Sequence, residues 1–339
     1  MKKYFNILIP FFSLMSFSFM GCGGGEPSGR VHTPATEATQ AESAALEIPE
    51  FNADSAWAFV NRQVAFGPRV PNTQAHRECG DWLQQSLERF ADTVYVQATR
   101  VRAYDGTILN IRNFIGSFKP EKNNRILLCA HWDTRPWADH DPNPENHFKP
   151  FDGANDGASG VGVLLEIARL LSKQQPNLGV DIIFFDAEDY GEHEQSRRFE
   201  RDTWALGSQH WAKSPHKPDY YARFGILLDM VGASGATFKK EGYSMLYAPN
   251  IVRKVWGIAQ REGFSHLFVN DEGSHIMDDH YYVNDIRNIP TINIIDQRRD
   301  TPHGFFEHWH TMQDNMDAID KNTLHAVGST VVRAIYNEK

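Results

Sequence analysis

Three apolar runs of five or six residues, at 125–130, 180–185 and 224–228, each stop just short of an acidic or imidazole side chain. Runs this short, without polar alternation, read as strands buried on both faces. Helical patterns separate and follow them at 158–172, 204–212 and 250–262, and a fourth strand run at 291–295 precedes a closing helical pattern at 315–336. Strands alternating with helices specify an α/β fold: a single domain with a central twisted, mostly parallel sheet flanked by helices on both faces. Upstream, helical spacing at 54–60 and 76–90 and strand patterns at 94–101 and 109–118 add two helices and two strands. The first two or three strands are expected to run antiparallel at one edge.

In such a sheet, functional groups collect in the crevice at the carboxyl ends of the strands. His131 and Asp133 follow the first buried run, Glu188 and Asp189 the second, and Asp229 the third. Asp156 precedes the helix at 158–172, and His310 lies in a loop before the last helix. Alone, each has an ordinary reading: a loop histidine, a helix cap, a solvated acidic pair. Together, at one sheet edge, they would repel and raise one another's pKa unless a cation sits among them. Mixed histidine and carboxylate ligation of that kind is what catalytic zinc uses.

The chain has 339 residues, near the upper size at which one core still suffices. With 43 acidic against 34 basic residues and a net charge of -9, it carries no basic footprint for nucleic acid. Lys2 and Lys3 precede an apolar stretch at 4–20 that ends at Gly21-Cys22, the layout of an export signal. Gly21-Cys22 resembles a bacterial lipobox, which implies removal of 1–21 and acylation of Cys22; Phe19 departs from that pattern and leaves simple signal cleavage as the alternative. Residues 22–50 are poor in large apolar side chains and read as a flexible tether, leaving 51–339 as the catalytic domain. The expected location is outside the cytoplasm, anchored to a membrane through lipid on Cys22 and facing the periplasm or cell surface. Cys129, inside an apolar run, is expected to be a buried thiol.

The motifs His131-Trp132-Asp133, Gly153-Ala154-Asn155-Asp156-Gly157, Phe185-Asp186-Ala187-Glu188-Asp189, Leu228-Asp229-Met230, Asp278-Asp279-His280 and Trp309-His310-Thr311 stand in that order. From about residue 125 onward the chain resembles the co-catalytic zinc exopeptidase superfamily, and more narrowly its animal-type glutaminyl cyclases, which also occur in bacteria. The resemblance implies that Asp156, Asp189 and His310 bind one zinc, that Glu188 is the general acid/base, and that Asp229 and Asp278 share protons with it. It also implies that Trp309 walls the substrate pocket. Trp204 either faces that pocket or belongs to the core, and Asn293, a polar residue in a buried strand run, is a further substrate-binding candidate. Position 189 is Asp where the animal enzymes carry Glu.

The implied substrates are peptides or proteins with N-terminal glutamine. The alternative is a two-zinc aminopeptidase of the same fold, in which Asp156 bridges two ions and His131 and Asp229 hold the second, with Asp133 beside them. A third reading, a non-catalytic binding lipoprotein, predicts a depleted ligand set. The ligand set here is complete.

Overall fold

The computed structural model describes residues 47–196 and 202–338. The export signal, Cys22, most of the tether and part of the 191–203 loop lie outside the described residues. Two helices open the fold, α1 (Ala53–Val64) and α2 (Gln74–Phe90). Asn52 and Thr73 cap them by accepting from the amides of Ser55 and His76. The strands β1 (Thr93–Arg102), β2 (Ile108–Phe118), β3 (Arg125–His131), β4 (Gly179–Phe185) and β5 (Gly225–Asp229) follow in the chain, with α3 (Ala158–Lys173) and α4 (Leu206–Lys213) between them. Beyond β5 come β6 (Phe238–Lys240), α5 (Gly242–Tyr247), α6 (Pro249–Arg261), β7 (Phe268–Glu272), α7 (Asp279–Arg287), β8 (Thr291–Ile295) and α8 (Lys321–Tyr336).

Six strands form one sheet in the order β1-β2-β4-β3-β5-β8. β1 and β2 pair antiparallel, as do β2 and β4, and the rest are parallel, so the antiparallel strands sit at one edge as the alternation implied. The period of two sorts the core. Ile126, Leu128, Val180, Ile182, Phe184, Ile226 and Leu228 enter one cluster with side chains of α1, α3, α6 and α8. Leu127, Cys129, Ile183, Phe185 and Leu227 enter a second with Trp211 of α4 and Val283 of α7. Both faces are thus covered, which is why these strands read as continuous apolar runs. Cys129 and Cys79 are buried free thiols.

Helices α5 and α7 were not among the expected elements, and three further details differ from the sequence expectation. The closing helix starts at Lys321 rather than at 315, because Asn315 caps a separate 3-10 turn (Met316–Ala318) and Asp320 provides a second cap to Asn322. Trp204 lies before α4, whose entry residue Ala205 is left-handed. A small parallel pair, β6 with β7, was not expected: β6 is three residues long, and most of β7 is exposed.

Candidate active site

Four strand ends and two loops converge at one edge of the sheet. After β4 the chain turns sharply through Ala187, a left-handed residue at φ 52. The next two amides are gripped by a single carboxylate, since Asp133 accepts from Glu188 N–H at 3.0 Å and from Asp189 N–H at 3.2 Å. Asp133 therefore orients the acid/base and ligand candidates and is not itself among the converging donor groups. Asp156, before the left-handed Gly157, is positioned by Asp314, which accepts from the Asn155 and Asp156 amides. His310 is left-handed too, at φ 54, as is Met230 next to Asp229, at φ 49. Non-glycine residues in this region are strained, and such strain is found where surrounding structure dictates side-chain direction.

Two donor sets share Asp156. Ligand atoms of Asp156, Asp189 and His310 lie within 4.8 Å of one another, as do those of His131, Asp156 and Asp229. His310 Nε2 is 3.3 Å from Asp189 Oδ1 and 3.6 Å from Asp156 Oδ2, while its Nδ1 faces Asp139 Oδ1 at 3.4 Å. His131 Nε2 is 3.0 Å from Asp156 Oδ1 and 3.2 Å from Asp229 Oδ1. All these side chains are buried.

The protein alone does not neutralise the site. Burial, with Asp278 and Asp189 nearby, lifts the Glu188 carboxyl well above its ordinary range. Burial, then Asp156 and Asp278, raises Asp229 to about 7 against the pull of His131. Burial and then Asp156 raise Asp189 to about 6, with His310 and Arg135 opposing. These groups lower their energy by holding protons or a cation. A divalent metal fits the donor set on that ground, and the imidazole-carboxylate pairing His310–Asp139 is the arrangement that orients a ligating histidine.

The acidic end opens into a cleft of about 310 Å³ walled by Trp204, Met230, Ile276, Phe305 and Trp309. Trp204 therefore faces the pocket. Its ring lies parallel to that of His310, 6.1 Å away, and the Arg135 guanidinium covers it at 4.5 Å. Trp309 stacks on His310 with centroids 3.7 Å apart. Asn293 does not line the cleft: it is fully buried in β8 and its amide donates to Asp278 at 2.6 Å, so it bears on the site only through that carboxylate. A larger cleft of about 590 Å³ lies over α2, β1 and β2, away from both donor sets.

The sequence reading missed a buried ion pair, Arg135–Asp139. Arg135 donates to both oxygens of Asp139, and its backbone N–H and guanidinium bond Asp189. Residues 135–139 are not helical, so the i, i+4 spacing of these charges was no signal for the pair. Arg69, buried and donating to the carbonyls of Trp132, Asp152 and Gly153, carried none.

The family model for peptidase family M28 matches residues 113–335, the span that carries both donor sets. The chain belongs to peptidase family M28. A zinc-dependent exopeptidase from Parabacteroides distasonis superposes with a TM-score of 0.85 at 55% identity, over 86% of this chain and 100% of that one. The glutaminyl cyclase of Bacteroides thetaiotaomicron, solved with N-acetylhistamine, gives 0.85 at 54% identity over the same shares. The glutaminyl-peptide cyclotransferase of Bos taurus is 28% identical over 293 residues, 76% of this chain and 74% of its own length. Zinc is the metal that this membership supports for the site.

Proposed function

We propose that this M28 chain is a zinc-dependent glutaminyl-peptide cyclotransferase, converting N-terminal glutamine of peptides or proteins to pyroglutamate with release of ammonia. The observation that carries the reading is the match along the whole of a solved glutaminyl cyclase at 54% identity. Asp156, Asp189 and His310 would hold the zinc, which when bound supplies a Lewis acid for the γ-carbonyl of the substrate.

The remaining chemistry belongs to the chain. Trp204 and Trp309 flank His310 and would confine a small neutral side chain against the acidic end of the cleft. The substrate α-nitrogen attacks the carbonyl carbon of the side-chain amide, the ring C–N bond forms, and the amide nitrogen departs as ammonia. Glu188, a carboxyl with raised proton affinity, takes the proton from the α-nitrogen and returns it to the leaving nitrogen. Asp229 and Asp278 share its proton load, and Asn293 holds Asp278 in place.

The aminopeptidase alternative draws on the second donor set, His131, Asp156 and Asp229, which is compact enough for another ion. Peptides beginning in Gln and in Ala separate the two readings by mass spectrometry. Loss of ammonia from the Gln peptide with the Ala peptide intact supports the cyclase; release of the first residue overturns it.

The cellular setting belongs to the same proposal. Removal of 1–21 and acylation of Cys22 would leave the domain tethered to a membrane on the outer side of the cytoplasm, a reading supported by the Gly21-Cys22 junction. Labelling the full chain with a radioactive fatty acid tests it: label is incorporated and is lost in Cys22→Ala.

A further inference from the structure

His76 lies on α2, outside every motif that supplies the site. Its Nε2 nevertheless meets both oxygens of Asp186, at 2.8 and 3.0 Å, and both side chains are buried. Its ring stacks on Trp132 at 4.3 Å with an interplanar angle of 14°. Asp186 in turn accepts from Arg112 N–H at 2.6 Å and from Ala187 N–H at 2.8 Å. Trp132 Nε1 donates to Arg112 O at 3.1 Å. These contacts close a ring, His76 to Asp186 to Arg112 to Trp132 and back. The ring joins the two segments that present His131 and Asp133 on one side and Glu188 and Asp189 on the other.

Asp186 immediately precedes the turn that aims Glu188. That turn needs Ala187 in the left-handed region, where a residue with a Cβ does not stay unless it is held. Its outer amides are held by Asp133 and its carbonyls by Ala205 and Leu206. The Ala187 amide itself is held by Asp186. A buried carboxylate that loses a partner moves or takes up a proton, so without His76 the grip of Asp186 on the Ala187 amide weakens, leaving the Arg112 amide as its other partner.

We infer that His76 is a positioning residue for catalysis: through Asp186 it holds the strained Ala187 turn and so sets the direction of Glu188. The inference rests on the reading of Glu188 as the acid/base. His76→Phe keeps a ring over Trp132 but removes the bond to Asp186, and His76→Asn, too short to reach, serves where Phe does not fold. The expected result is a kcat lowered about tenfold to a hundredfold, the scale for a displaced catalytic group, with KM within about twofold and zinc content unchanged. His76→Gln, which retains a donor of similar reach, recovers most of kcat. Ala187→Gly in the His76→Phe background also recovers it, because glycine adopts positive φ without the bond.

The kinetics are measured on Gln-initial and Ala-initial peptides, with thermal unfolding of each variant. Folded His76→Phe or His76→Asn that turns over at the wild-type rate, or a loss of kcat that Ala187→Gly leaves untouched, overturns the inference. Wild-type turnover of the Ala peptide alone overturns the cyclase reading instead, and the His76 comparison is then read on that peptide.

Discussion

Asp156 separates its site into two unlike halves. On one side stand Asp189 and His310, backed by the buried Arg135–Asp139 pair, whose guanidinium bonds the Asp189 carbonyl. On the other stand His131 and Asp229, and behind Asp229 lies Asp278, a further buried carboxylate that raises its proton affinity. Each histidine has a carboxylate behind it, at 3.4 Å for His310 and 3.6 Å for His131, so the imidazoles do not distinguish the halves. The surrounding charge does. Burial and Asp156 raise both Asp189 and Asp229 and a histidine opposes at each, but Arg135 adds to that opposition at Asp189, whereas Asp278 adds to the push at Asp229. On the proposed one-zinc reading, these would be a metal half and a proton half that share one aspartate.

The largest effect expected from that contrast is at Glu188. Glu188→Gln preserves size but cannot accept the α-amine proton, so kcat falls by about two to four orders of magnitude while zinc content and unfolding temperature stay put. Loss of zinc in this variant would mean that Glu188 belongs to the metal half. Next come the ligands. Asp189→Asn weakens zinc retention, so activity falls on dialysis against a chelator and returns with added zinc. Asp229→Asn keeps its zinc under the same dialysis and loses turnover that zinc does not restore. Equal zinc loss from both variants, measured by atomic absorption, would erase the distinction.

Trp309→Ala removes one wall of the cleft and leaves His310 in place. It costs about 1–3 kcal/mol in kcat/KM on Gln peptides with zinc retained, and unchanged kinetics would move the tryptophan out of the pocket. The smallest effect is in pH dependence. In the proposed mechanism Glu188 is a base only when ionised, and burial has raised its pKa, so kcat is expected to rise with pH and level off once that raised pKa is passed. The residual rate of Glu188→Gln lacks this limb and keeps only the one set by the substrate amine. An unaltered profile would assign the titration to another group.

The central strands were legible because burial on both faces leaves uninterrupted apolar runs, and 291–295 coincides with β8 to the residue. His131, Glu188, Asp189 and Asp229 were legible because they follow such runs, and Asp156 and His310 because they lie in loops that lead into helical patterns. What the sequence hid depends on distance in space. Asn293 looked like a pocket residue from its strand, but its amide points at Asp278. Arg135 and Arg69 act through buried bonds to carbonyls far along the chain, those of Asp189 and Gly153. The start of α8 was misplaced since Asn315 and Asp320 are both good caps, and periodicity alone does not choose between them. Trp204 left both readings open until the turn at Ala205 directed its ring over His310.

The division into a metal half and a proton half is tested most directly by titrating zinc into the metal-free protein while following ammonia release from a Gln-initial peptide. With Asp156, Asp189 and His310 as the metal half, activity rises linearly and reaches its plateau at one equivalent of zinc per chain. A plateau that requires two equivalents, with the second ion lost in Asp229→Asn, would contradict the account and give His131 and Asp229 to a second metal.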